Sequence, residues 1–242
     1  DLNNDGQMEV LQLPKQKWSG PVYFFARDAQ GQWKRAGTYE ESDNSPELIE
    51  AILSTEVDFV LNNLVGETSY AFLRALDEAC LRDRRTLAVL SCNFTEAEVA
   101  EVAPLRAVRL LSCGPFFESV DLDFCARQHL QHGAQRISHY YIGGWRAVRL
   151  FANSLREAGN SEPGAVLAAL HRQHDVDSPG ARSVMARNNH ACLPCYIAEL
   201  QQTCFQILHR EPLPVMPDPY LSATELRESR TVAARPALRI VK

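Results

Sequence analysis

Three short apolar runs, Val57-Asp58-Phe59-Val60-Leu61, Thr86-Leu87-Ala88-Val89-Leu90 and Ala107-Val108-Arg109-Leu110-Leu111, each follow a segment of helical character. That alternation constrains the fold more than any other feature of the chain. Between the first two runs, Tyr70, Phe72, Leu73, Leu76, Ala79 and Cys80 recur at helical spacing. Between the second and third, Thr95-Glu96-Ala97-Glu98 has the form of a capping box, with Thr followed three residues later by Glu. Strand, helix, strand, helix, strand with short connections is the βαβαβ unit. Right-handed crossovers force such a unit into a parallel sheet flanked by helices. The expected class is therefore α/β.

Ahead of this unit, Ser45 as N-cap and Pro46 at the first helical position open a helix over about Glu47 to Ser54. Behind it, helices are expected over Asp121 to Gln131, Ser138 to Glu157 and Glu162 to His171. The second of these carries Tyr141, Trp145, Val148, Leu150, Phe151 and Leu155 on its apolar side. Arg182 to Met185, Tyr196 to Leu200 and Phe205 to Leu208 read as strands. Residues 1–42 differ in texture: Gly6, Pro14, Gly20, Pro21, Gly31 and Gly37 separate short runs, which suggests strands and tight turns. The expected organisation is a short β-rich segment over 1–42, an α/β domain over 43–221 and a proline- and charge-rich tail over 222–242. No internal repeat is visible.

Composition removes several classes of function. With 45% hydrophobic residues in 242, the chain has apolar mass for one sizeable core or two small ones. Its 25 Lys and Arg against 30 Asp and Glu give a formal charge of −5, so no general basic field exists to hold a nucleic acid backbone. No direct nucleic acid partner is expected. No stretch approaches the roughly 18 uninterrupted apolar residues of a membrane helix, so no membrane insertion is expected. The seven cysteines are odd in number and mostly embedded in apolar patterns, which favours a cytoplasmic, reducing compartment.

In an open parallel sheet, ligands bind outside the carboxyl ends of the strands. The loops in question run from Asn62 to Ser69, Ser91 to Glu96 and Ser112 to Ser119. They offer Gly66, Glu67, Thr68, Asn93, Phe94 and Phe116 as candidate ligand-binding residues. The plainer alternatives are a turn or cap for Thr68, backbone geometry for Gly66 and core packing for Phe94 or Phe116. No nucleophile–base triad stands among them, and neither GxGxxG nor GxxxxGK[ST] occurs. A binding cleft without catalysis is the expected chemistry.

Several stretches together resemble a known family. They are Leu64-Val65-Gly66-Glu67-Thr68-Ser69, Asn93-Phe94-Thr95-Glu96-Ala97-Glu98-Val99, Asp175-Val176-Asp177-Ser178-Pro179-Gly180, Arg187-Asn188-Asn189-His190, Ile197-Ala198-Glu199-Leu200 and Pro217-Asp218-Pro219-Tyr220. In order and spacing they are similar to the type I periplasmic-binding fold, in its amide- and urea-binding branch. The resemblance implies a two-lobed protein that closes on a small amide or urea-like solute, with Gly66, Glu67, Asn93, Phe94 and Phe116 where the second lobe lines the cleft. It implies a cytoplasmic amide sensor acting on a regulatory partner such as a transcription antiterminator. The alternative is a periplasmic receptor delivering urea, amides or amino acids to an ABC permease. Members of the family begin with a first-lobe segment that this sequence does not match, which raises a third reading: an interaction scaffold that has lost solute binding.

Two further constellations carry chemistry. Asp1, Asn3, Asp5 and Glu9 place oxygen side chains at the first, third, fifth and ninth positions of a loop with Gly at the sixth, as calcium loops do. Together with Val22 to Phe25 and Gly31 to Trp33, this segment resembles one blade of an FG-GAP-type propeller repeat; the alternative is a plain Asx-rich turn. No other cofactor is expected. His190, Cys192, Cys195 and Cys204 could supply four soft ligands to zinc, with Cys192-Leu193-Pro194-Cys195 as the close pair. Small buried cysteines are the alternative there.

Overall fold

The computed structural model describes residues 19–39, 46–55, 57–133, 135–175, 179–180 and 183–219. Its centre is a seven-stranded sheet in the order β10-β9-β5-β4-β3-β1-β2. The strands are β1 (Ser19–Arg27), β2 (Trp33–Tyr39), β3 (Phe59–Leu64), β4 (Leu87–Leu90), β5 (Val108–Gly114), β9 (Tyr196–Gln201) and β10 (Cys204–Arg210). The helices are α1 (Pro46–Ser54), α2 (Glu67–Arg82), α3 (Val99–Val102), α4 (Leu122–His132), α5 (His139–Ala158) and α6 (Pro163–Leu170). A small antiparallel sheet joins β6 (His174–Asp175), β7 (Ser183–Met185) and β8 (Ala191–Cys192). Among the described residues no helix is long and apolar enough to cross a membrane.

The βαβαβ expectation is met by β3, β4 and β5, which pair in parallel. The sheet as a whole is mixed, because four antiparallel strands flank this parallel core. The β1–β2 hairpin pairs onto β3, and β9 with β10 onto β5. Residues 19–39 therefore extend the main sheet. Along β3, Val60, Asn62 and Leu64 are buried while Phe59, Leu61 and Asn63 are only partly so, and β5 alternates in the same way. One face of the sheet is sealed and the other is half covered. A residue period of two is what such one-sided cover imposes on a strand.

The sealed face carries the main core: Leu48 and Ile52 of α1, Phe72, Leu73, Leu76 and Cys80 of α2, and Val60, Val89 and Leu110 of the strands. Two polar groups fix the helices to it. Asp77 is 4% exposed, and its Oδ1 accepts the backbone N–H groups of Arg106, Ala107 and Val108 at 2.9, 2.7 and 2.7 Å. Arg85 reaches the carbonyls of Leu53 and Val57 at 3.1 and 2.9 Å, which ties the end of α1 to the entry of β3. The carbonyls past the end of α1 have no helical partner, and the guanidinium supplies one.

A second, smaller core lies under α4 and α5, made by Phe116, Phe124, Cys125, Ile137 and Ile142. Here the apolar side expected for the long helix is corrected. Leu150 is buried, but Val148 and Phe151 are exposed at 70% and 57%, and the fully buried stripe is Ile142, Arg146, Leu150 and Ser154. Arg146 donates to the carbonyl of Pro179 at 2.8 Å and Ser154 to that of Leu150 at 2.7 Å. Buried polar groups are tolerated when hydrogen-bonded, so apolar spacing alone draws the buried side too wide at Val148 and Phe151 and misses Arg146 and Ser154. Tyr141 and Trp145 pack against the small core as expected. The predicted N-cap Ser45 lies outside the described residues, whereas Asp121 and Ser138 cap α4 and α5 by accepting from Phe124 and Tyr141.

Candidate ligand-binding cleft

The carboxyl ends of β3 and β4 deliver their loops to one edge, where a cleft of about 150 Å³ opens. It is lined by Leu64, Val65 and Gly66 after β3, Ser69 and Tyr70 of α2, and Asn93, Phe94 and Glu98 after β4. Tyr140 from the first turn of α5 completes it. Each wall has a local cause. Gly66 takes φ 61°, ψ −145°, a conformation that glycine adopts without a Cβ penalty, and it turns the chain from β3 into α2. Asn62 accepts the N–H of Leu64 at 3.0 Å and donates to Ser69 at 2.9 Å, which holds that turn against the helix. Asn93 accepts from Ser91 at 2.8 Å and donates to the carbonyl of Leu64 at 3.0 Å, joining the two loops.

The predicted capping box is present: Glu98 Oε2 accepts from the N–H and the hydroxyl of Thr95, at 2.7 and 2.5 Å. The same carboxylate faces the cleft. Burial raises the Tyr70 and Tyr140 phenols above their ordinary range, and the negative charge of Glu98 adds to both. His139 is shifted down by burial while Glu98 pulls the other way, and its buried Nδ1 has no hydrogen-bond partner. Two neutral phenols, one carboxylate and an amide thus converge, and the lining contains no Lys or Arg.

The structure brings together three of the six candidate residues, Gly66, Asn93 and Phe94. Phe94 forms the floor: it is 2% exposed and meets Tyr70 edge-on at 6.0 Å between ring centroids. Glu67 is exposed beside the cleft and paired with Arg74 at 2.8 Å. Thr68 is half-buried on α2 and is not a lining residue, and Phe116 has no exposed surface and belongs to the small core. Sequence reasoning missed Ser69, Tyr70, Glu98 and Tyr140. The capping box marked Glu98 and the helical spacing marked Tyr70, but nothing local marks Tyr140, whose place depends on how α5 docks.

The zinc set is not assembled. Among the described residues no three His, Cys, Asp or Glu side chains are grouped to hold a metal ion. Cys192 contacts Met216 at 3.2 Å, Cys195 lies against Cys113, and Cys204 is exposed at the start of β10. Strand geometry sends these side chains to different places. The calcium loop residues Asp1, Asn3, Asp5 and Glu9 lie outside the described residues.

A parallel βαβαβ core with a lined cleft at its carboxyl edge defines an α/β lobe of the ligand-binding kind. Residues 36–226 match the model of the family described as periplasmic binding protein domain, and the chain belongs to that family. Solved structures agree on the fold. A solute-binding protein of an ABC transporter from R. palustris, in complex with benzoate, is similar with a TM-score of 0.61 and 16% identity over 72% of this chain and 48% of that one. A leucine-binding protein from Thermotoga maritima gives 0.56 and 9%, over 71% and 50%. A periplasmic ligand-binding protein of a branched-chain amino acid ABC transporter from Burkholderia xenovorans gives 0.57 and 16%, over 71% and 48%. The chain spans about half the length of these structures.

Proposed function

We propose that this protein is an extracytoplasmic solute receptor that presents a small ligand to an ABC-type permease, without chemistry on the ligand. The observation that carries this reading is the cleft itself, at the carboxyl edge of a periplasmic-binding α/β lobe and lined by Gly66, Asn93, Phe94, Tyr70, Glu98 and Tyr140. Transporter solute-binding proteins among the structural neighbours support it over the cytoplasmic amide sensor that sequence resemblance brings first. Seven free cysteines are the observation that favours the sensor as a second reading.

The lining also speaks to ligand class. A site with one carboxylate, a side-chain amide, two phenols, the Ser69 hydroxyl and no cation has nothing to offset the charge of a bare anion. It suits a solute that itself donates hydrogen bonds, such as a primary amide, urea or an amine, with Phe94 and Tyr70 taking its apolar part. Isothermal calorimetry with acetamide, butyramide, urea, leucine and benzoate tests this on the folded protein. Saturable heat with an amide, urea or amine-bearing solute is the expected result. Heat with benzoate alone would overturn the donor argument. No heat and no thermal shift with any of them would sink receptor and sensor together and leave the interaction scaffold. Release of the native protein by osmotic shock separates receptor from sensor.

A further inference from the structure

Cys113 and Cys195 meet across the junction of β5 and β9, with their sulfurs 3.6 Å apart. The pairing of these strands sets Gly114 opposite Tyr196 and Cys113 opposite Ile197, so Cys195 falls on the diagonal from Cys113 and both side chains leave the same face. Cys195 immediately precedes β9 and is not itself held in the β5–β9 ladder, while its carbonyl accepts the N–H of Glu211 at 2.9 Å. One partner is therefore set by the sheet and the other retains some freedom. A disulfide needs its sulfurs at about 2.05 Å, so the remaining closure is roughly 1.5 Å. Because diagonal Cα atoms stand about 7–8 Å apart, it requires the backbone ahead of β9 to move towards β5. This is the one sulfur–sulfur hydrogen-bond contact between cysteines among the described residues.

We propose that Cys113 and Cys195 are a dithiol–disulfide couple which, when oxidised, staples the carboxyl end of β5 to the start of β9. The oxidant is a small disulfide such as glutathione disulfide. One protein thiolate attacks a glutathione sulfur and releases one glutathione thiolate. The second protein thiolate then attacks the protein-bound sulfur and releases the other. The two cysteines lose two protons and two electrons, and one glutathione disulfide becomes two thiols. Exposed Cys92, on the loop after β4, is near enough for its charge to act on Cys113 and for that of Cys195 to act on it. It is a competing partner that the test must separate. Burial pushes Cys113 up to about 12, which disfavours its thiolate and slows exchange at neutral pH, so the test is run in mildly alkaline buffer.

The two residues are 82 positions apart, and α4, α5, α6 and the small sheet all lie between them. Closing so long a loop restrains the unfolded chain strongly. The bond also fixes one end of the sheet edge on which the cleft opens. This inference is independent of the solute reading, because thiol pairing is measured with no solute present.

The full chain, reduced and then exchanged into glutathione redox buffer at about pH 8, is quenched with acid and measured as the intact protein and as peptides. The expected product has lost about 2 Da, carries no glutathione and yields a linked peptide pair containing Cys113 and Cys195. Oxidation should raise the Tm by roughly 5–10 °C, reversed by dithiothreitol. C113S and C195S should each abolish the product and C92S should leave it, with circular dichroism confirming that each variant folds. The wild-type peptide map decides the matter even if a variant fails to fold. A linked pair containing Cys92, stable glutathione adducts, or no mass change overturns the proposal.

Discussion

Oε1 of Glu96 accepts the backbone N–H of Glu118 at 2.7 Å, joining the turn after β4 to the turn after β5. Glu96 is 1% exposed and its other carboxylate oxygen has no partner. Glu118 faces the opposite way, accepting from Arg136 and from the N–H of Ile137, both at 2.7 Å. The two loops beside the cleft are thus linked through one carboxyl whose ionisation the surroundings resist.

That resistance has a pH signature. Burial pushes Glu96 up to about 7, against 4.5 for the free group. A folded-state pKa above the unfolded one makes its contribution to stability greatest below the unfolded value. The contribution falls as pH rises from 4.5 towards 7, because the unfolded chain releases the proton first. We predict a loss of about 3 kcal/mol across that window, from the size of the shift. E96Q should flatten it and be more stable than the parent at about pH 8. Urea denaturation at several pH values measures both, and parallel curves for parent and variant would sink the assignment.

Asp77 offers a sharper stability test. One carboxylate oxygen satisfies three successive backbone donors at the entry to β5. We predict that D77A costs about 3 kcal/mol or more, since it leaves buried N–H groups without acceptors. D77N keeps an acceptor oxygen and should cost less. Equal losses in the two variants, read by urea denaturation, would show that geometry at this oxygen is not what matters.

Gly66 separates backbone strain from crowding. Nothing lies within 4 Å of the Cβ that an alanine would add, yet the φ of +61° remains. We predict that G66A lowers stability by about 1–2 kcal/mol through the backbone alone. It should also weaken solute binding, because the turn sets the edge of the cleft. An unchanged Tm would mean that the turn relaxes freely.

How much of this was legible in the sequence follows from range. Turns and caps are local, so Gly66 as a backbone turn and the Thr95–Glu98 box could be read directly, and the starts of α4 and α5 at Asp121 and Ser138 followed from helical periodicity. The parallel β3–β4–β5 order was readable because short crossovers leave few choices. The antiparallel flanks were not, since the pairing of β1 with β3 and of β9 with β5 joins segments far apart in the chain. The same holds for Tyr140 in the cleft and for the meeting of Cys113 with Cys195. Buried Arg146 shows a second limit, because a satisfied polar residue is invisible to any pattern built on apolar spacing.

Glu98 connects cap to cleft, and its charge is the test of what the cleft accepts. Its Oε2 is committed to Thr95, while the carboxylate as a whole stands beside Tyr70 and Tyr140. E98Q retains an oxygen acceptor for the cap, so stability should fall by no more than about 1 kcal/mol. Affinity should depend on the charge of the solute. An amine-bearing cation loses a charged partner in a half-enclosed site, and we predict at least a tenfold weaker Kd, equivalent to about 1.4 kcal/mol. A neutral amide or urea retains a hydrogen-bond acceptor, and we predict less than a threefold change. Calorimetry with paired solutes, one cationic and one neutral, reads the difference directly. Equal losses for both would place the carboxylate in the cap alone and remove it from ligand recognition.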